Sequence, residues 1–130
     1  FFLPLVVYMA DAVGTQTETV LVRRLAYGEV SLWEQLARES VIGASIGVIV
    51  AIVASGGLWL WNGHPALAVV VGASLGVTAV VATIMASLLP MGLARLGADP
   101  ALASGPVATV VQDILSVGIY LMIATALLPV

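Results

Sequence analysis

The chain has 130 residues, 62% hydrophobic and 8% charged, with a net charge of -3. A soluble domain averages about 25% charged residues, so this composition excludes an ordinary water-soluble fold and points to an integral membrane protein. Four arginines with no lysine leave no basic patch for nucleic acid. The absence of cysteine excludes disulfides, thiolate metal sites and a cysteine nucleophile. No segment alternates in polarity as a transmembrane β-strand would. The expected fold class is therefore all-α, a polytopic transmembrane helix bundle forming one domain over residues 1–130.

Four apolar segments follow in chain order: Leu3–Val22, Glu39–Trp61, Pro65–Leu93 and Pro100–Leu128. Each is long enough to span a bilayer core, which takes about 20 residues. Phe1–Ala10 lacks the charged start of a signal peptide, and the first residue being Phe suggests an excerpt of a longer chain. Arg23, Arg24 and Arg38 fall in the first link and Arg95 in the third, whereas Asn62-Gly63-His64 carries none. Cytoplasmic loops collect positive charge, so the first and third links are expected inside the cell and both chain ends outside, in a multi-pass plasma-membrane protein. Trp59 and Trp61 then mark the outer interface, and Tyr27 and Trp33 the inner one.

Within these segments, Gly43 and Gly47, and likewise Gly72 and Gly76, stand four apart, a spacing that lets helices in lipid approach closely. Pro90 and Gly105-Pro106 are expected to kink their helices. Asp99 before Pro100 makes an N-cap followed by a first-turn proline.

Acids in a spanning helix are costly unless they face water or a partner. The first segment carries Asp11 and Glu18 and the fourth Asp113, while the middle two carry none beyond Glu39 at the margin. The middle helices are thus expected to be lipid-facing scaffold and the outer two to carry the chemistry. At 1.5 Å per residue, Asp113 lies about 21 Å along its helix from Asp99, and Asp11 about 18 Å from Arg23. Both sit near the midplane. Asp11, Gly14, Thr15 and Glu18 share one helix face, and Thr109, Gln112, Asp113 and Ser116 cluster on the other helix. Two such faces at one depth are expected to wall one hydrophilic path. Other roles are open: Glu18 can extend to the inner interface, Asp11 can pair with a hydroxyl, and Thr15, Thr17, Thr109 and Ser116 can bond back to their own helix. Carboxylates, hydroxyls and carbonyls without imidazole or thiolate favour a hard cation. His64 reads as a loop residue.

The fourth segment, Asp99-Pro100-Ala101-Leu102-Ala103-Ser104-Gly105-Pro106 with Thr109, Asp113, Gly118 and Tyr120, resembles the last transmembrane helix of the MgtE magnesium channel/transporter family. Pro4 and Met9-Ala10-Asp11-Ala12-Val13-Gly14-Thr15-Gln16 are similar to that family's Pro…Met-Gly-Gly-Asn-x-Gly-x-Gln stretch. Thr19, Arg24-Leu25-Ala26, Gly28, Glu39, Gly43 and Gly47 continue the likeness. The resemblance implies five helices, of which this chain holds the last four. It also implies a homodimer whose axial pore is walled by what are here the first and fourth segments, and cytosolic regulatory domains outside this chain. It assigns hydrated Mg2+ to Asp113 and a cytosolic-mouth role to Asp99. Ala10, Asp11 and Ala12 replace the family's Gly, Gly and Asn, and Ala108 the first of its paired threonines. Asp11 thus adds an acid, and Mn2+ and Co2+ stand as alternative ions. The expected function is passive conduction of a divalent cation through a path formed by Asp113, Asp11 and Asp99 as metal contacts and lined by Gly14, Thr15, Glu18, Thr109 and Ser116. The alternatives are a proton- or ion-coupled exchanger using the same acids, and a non-conducting assembly subunit.

Overall fold

The computed structural model describes residues 1–28 and 30–128. Four helices follow in order: α1 (Leu3–Tyr27), α2 (Leu32–Asn62), α3 (Pro65–Arg95) and α4 (Pro106–Leu127), with a 3-10 turn at Pro100–Ser104 before α4. The elements match the expected segments, but three boundaries differ. Helix α1 runs through Arg23 and Arg24 to Tyr27, and α2 begins at Leu32, well before Glu39. Charge marks where lipid ends, not where a helix must; Leu32–Arg38 is made of good helix formers and is tied to the next turn by a hydrogen bond from Gln35 Nε2 to Glu39 Oε1 (2.9 Å).

The third difference lies before α4. The sequence predicts a helix starting at Pro100; instead Asp99 caps a 3-10 turn, its Oδ1 accepting from the Ala101 amide at 2.9 Å. The residue before a proline is pushed out of the helical region, and Gly105 is extended (φ -122°, ψ -152°). Gly105-Pro106 therefore restarts the helix instead of kinking it. Pro90, by contrast, is carried inside α3.

Among the described residues, three helices are long and apolar enough to cross a membrane: Leu32–Trp61, Pro65–Arg95 and Pro106–Leu127. Helix α1 is as long as the last of these, but Asp11, Glu18, Arg23 and Arg24 dilute its apolarity.

The expectation that both middle helices are lipid-facing scaffold is corrected for α3. Over its most apolar stretch α3 is 56% buried, against 11% for α2, and it touches each of the other three helices. Most of its buried side chains are small or hydroxylated, among them Ser74, Thr78, Ala79, Thr83 and Ser87. Ser74 and Ser87 bond back to Val70 O (2.7 Å) and Thr83 O (3.1 Å), which satisfies them without a partner helix. Helix α2 does present the expected apolar face, with Val41, Val48, Ile52 and Val53 exposed.

Helices α2 and α3 meet backbone to backbone. A Cβ added to Gly47 would lie 2.7 Å from Gly76 O and 3.3 Å from Ala79 Cβ, and one on Gly43 would strike the Thr83 hydroxyl. Ser55 Oγ crosses the same seam to Ala68 O at 2.9 Å. At the opposite edge, Val6 of α1 packs on Val71 and Leu75 of α3, joined by Phe2, Leu58 and Tyr120. This cluster gathers the start of α1, the end of α2, the start of α3 and the end of α4. The up-and-down topology consequently brings Arg23, Arg24, Arg38 and Arg95 to the other end of the bundle.

Candidate functional site

Helix α1 buries one stripe: Val6, Ala10, Val13, Gly14, Thr17, Glu18 and Leu21. Its apolar members pack as any helix face does, but Thr17 and Glu18 are polar and nearly inaccessible, at 7% and 3% exposure. Each faces a different neighbour.

Helix α4 buries Ala108, Gln112 and Ser116, and of these Gln112 meets the α1 stripe. The Gln112 side-chain amide lies directly on Gly14. A Cβ there would sit 2.6 Å from Gln112 Cδ and overlap both terminal atoms. Gly14 thus makes room for a side chain and is not demanded by backbone conformation; a Cβ there would displace the Gln112 amide. One turn on, Gln112 Nε2 donates to Glu18 Oε1 at 3.5 Å, while Gln112 Oε1 is buried with no hydrogen-bond partner among the described residues.

Toward α2, Thr17 Oγ1 donates to Glu39 Oε2 at 3.3 Å. Glu39 is 3% exposed and its other oxygen accepts from Gln35 and pairs with Arg38 at 3.5 Å. A narrow groove of about 160 Å³ between the two helices opens beside this cluster, lined in part by Gln16, Thr17, Arg38 and Glu39. Glu39, a marginal acid by its place in the sequence, is thus the link between α1 and α2. Its i, i+4 spacing from Gln35 was the available signal. We expect Glu39→Ala to cost about 2 kcal/mol, because a buried donor left without its acceptor loses about 1–3 kcal/mol. Thermal unfolding in detergent checks this, and an unchanged midpoint would show the cluster to be idle.

The remaining expected site residues are distributed as follows. Asp11 and Asp113 are each half-buried, one position along from the buried Ala10 and Gln112. Neither carboxylate is engaged in a hydrogen bond or ion pair among the described residues, and none joins one to the other. Thr15 Oγ1 bonds back to Asp11 O (2.8 Å) and Ser116 Oγ to Gln112 O (2.6 Å), so these hydroxyls donate to their own helices and offer only lone pairs outward. Thr15 and Thr109 are exposed and Ser116 is buried. Asp99 is exposed at the arginine end, occupied as a cap. The structure therefore unites Gly14 and Glu18 with Gln112, and holds Asp99 apart. Among the described residues, no three His, Cys, Asp or Glu side chains converge as a metal cluster. The donors present are hard oxygens, suited to a hydrated or hard cation.

A family profile described as "MgtE: Divalent cation transporter" matches residues 3–123. The chain is 37% identical over 133 residues to the magnesium transporter MgtE of Bacillus subtilis (strain 168), covering 97% of this chain and 29% of that protein. It is 34% identical over 131 residues to the magnesium transporter MgtE of Thermus thermophilus (98% and 29%). To that of Enterococcus faecalis it is 37% identical over 132 residues (95% and 28%). It thus spans under a third of the length of these curated relatives. With the match running through α1, α2, α3 and most of α4, the chain belongs to the MgtE family, whose members are transporters and not enzymes.

Proposed function

We propose that the chain forms part of the conducting domain of a divalent cation transporter, with Mg2+ as its principal ion and Mn2+ and Co2+ as alternatives. The observation that carries this reading is the confinement of acids. Asp11, Glu18 and Asp113 belong to α1 and α4, and those two helices pack on one another through Gly14, Glu18 and Gln112. The names of the three relatives above support the choice of ion.

In this reading α1 also spans the membrane, its acids facing the path, and two copies of the chain meet along it. Asp113 is the selectivity residue, holding the ion through its water shell, since Mg2+ dehydrates reluctantly. Asp11 adds charge at a similar depth, Asp99 gathers ions at the arginine end, and the exposed Thr15 and Thr109 line the way, with Gly14, Glu18 and Ser116 buried behind them inside the single chain. The arginine end faces the cytoplasm of a plasma-membrane protein, and the potential draws a dication inward at about 2.3 kcal/mol per charge per 100 mV.

A thiol experiment tests both the walls and the orientation, and the chain's lack of cysteine gives it a clean background. Cysteines at Thr15 and Thr109 should react with a water-soluble thiol reagent and be protected by Mg2+, whereas one at Val48 should stay unreactive. Cysteine at Gly63 should label from outside and at Tyr27 from inside. Protection absent at both threonines, or Gly63 and Tyr27 labelling from one side, contradicts the reading.

A further inference from the structure

The two buried acids of this chain are treated very differently. Both Glu18 and Glu39 are 3% exposed. The Glu39 carboxylate is met by a hydroxyl, an amide and a guanidinium, which is what a charged group needs away from water. Glu18 has one contact among the described residues, Gln112 Nε2 at 3.5 Å, where a hydrogen bond is already weak. The same amide leaves its oxygen buried and unpartnered, an uncommon state for a native polar atom. A carboxylate with one weak donor and an amide oxygen with none among the described residues thus share one seam, and a positive ion would supply what each lacks.

We propose that Glu18, Gln112 Oε1 and Asp11 form a cation site inside a single chain, at the α1–α4 seam, that takes a divalent ion retaining some of its water. The site is separate from Asp113 and rests on the divalent-cation reading above. Gly14 makes the room: its missing Cβ lets the Gln112 amide lie on α1, between the turn carrying Asp11 and the turn carrying Glu18. The two carboxylates match the charge of a dication, and an amide oxygen is an ordinary ligand for hard cations. The absence of imidazole and thiolate disfavours zinc or copper. Amide oxygen and nitrogen are close in size, so a rotation about the last side-chain torsion turns Oε1 to the ion. Carboxylates alone do not make the site, since no three converge among the described residues; the amide oxygen supplies the third donor.

Mn2+ serves as the probe, counted by electron paramagnetic resonance on the purified full chain in detergent, with proteoliposome uptake of Mn2+ measured in parallel. Glu18→Gln and Gln112→Leu should each remove one bound Mn2+ per chain or weaken it about tenfold or more. Gln112→Glu, which adds a carboxylate where the amide lies, should tighten it. Parent-like Mn2+ binding by both Glu18→Gln and Gln112→Leu overturns the site, as does weaker binding by Gln112→Glu. Uptake by the parent keeps the two claims apart. A parent that binds at this site but moves no divalent ion refutes the transport reading alone, and a parent that transports while the variants bind normally refutes the site alone.

Discussion

Asp113→Asn is expected to lower divalent uptake by about a hundredfold while the protein still folds. In the proposed dimer, two Asp113 carboxylates face each other across the path and hold the ion through hydrogen bonds to its water shell. Hydrogen bonds to a charged group contribute about 1.5–3 kcal/mol each, and each 1.4 kcal/mol is about tenfold in affinity. Asparagine keeps the shape and removes both charges. Asp113 is half-buried and no hydrogen bond or ion pair engages it among the described residues, so its replacement takes no support from the fold. Asp113→Glu, which retains the charge one methylene further out, should keep part of the function. Initial rates of Mg2+ entry into proteoliposomes decide this. Parent-like rates in Asp113→Asn would move the selectivity step elsewhere, with Asp11 the next carboxylate to replace. Glu29, on the link between α1 and α2, lies outside the described residues; Glu29→Gln serves as a functional control and should leave the rate unchanged.

Gly47→Leu should prevent α2 from docking on α3. Even a single added methyl at Gly47 would lie 2.7 Å from Gly76 O and 3.2 Å from Gly76 Cα. The obstacle is backbone, which cannot rotate aside as a side chain can. Extra methylenes in a packed seam cost about 1–3 kcal/mol where neighbours can adjust, so leucine against backbone should exceed that range. Gly57, where an added Cβ would meet nothing within 4 Å, is the matched control, and Gly57→Leu should leave folding intact. The readout is the monodisperse yield in detergent and the unfolding midpoint. Equal behaviour of the two variants would mean that the seam is not as close as described.

Much of this architecture is legible in the sequence because lipid simplifies the code. The apolar runs locate all four helices, and the four arginines locate the end of the bundle at which they gather. The spacing of Gly43, Gly47, Gly72 and Gly76 marks the α2–α3 seam, and of the polar face read on α1, Gly14 and Glu18 meet Gln112 of α4 while Thr15 is exposed. The centrality of α3 is not legible from hydropathy, because apolar helices look alike whether they face lipid or protein. The distinguishing signal is chemical: in a membrane the close contacts are made by small and hydroxylated residues. Helix α3 carries Ser74, Thr78, Thr83 and Ser87, all buried, whereas α2 exposes valine and isoleucine.

The polar pairs are harder to read for a different reason. Glu18 meets Gln112 across a separation of 94 residues, and Glu39 meets Thr17 across 22. Neither follows from local periodicity, since each depends on how two helices are rotated about their axes. The cluster read on α4 divides, with Gln112 and Ser116 buried, Asp113 half-buried and Thr109 exposed, and the room for Gln112 to lie inward on α1 comes from the absence of a Cβ at Gly14. The hydroxyls of Thr15 and Ser116 take the alternative that single-helix chemistry always offers, a bond to the carbonyl four residues back. The break at Gly105-Pro106 is legible as a perturbation but not as a restart, because a proline admits either outcome and the extended glycine decides it.

All of the functional reading depends on α1 and α4 walling a passive path for a divalent ion. Mg2+ flux into liposomes bearing the full chain decides whether they do, with the potential set by a potassium gradient and no proton or sodium gradient imposed. Entry should rise with an inside-negative potential and be lost in Asp113→Asn. Flux that appears only when a proton or sodium gradient is imposed, or no flux at all, would contradict a passive path.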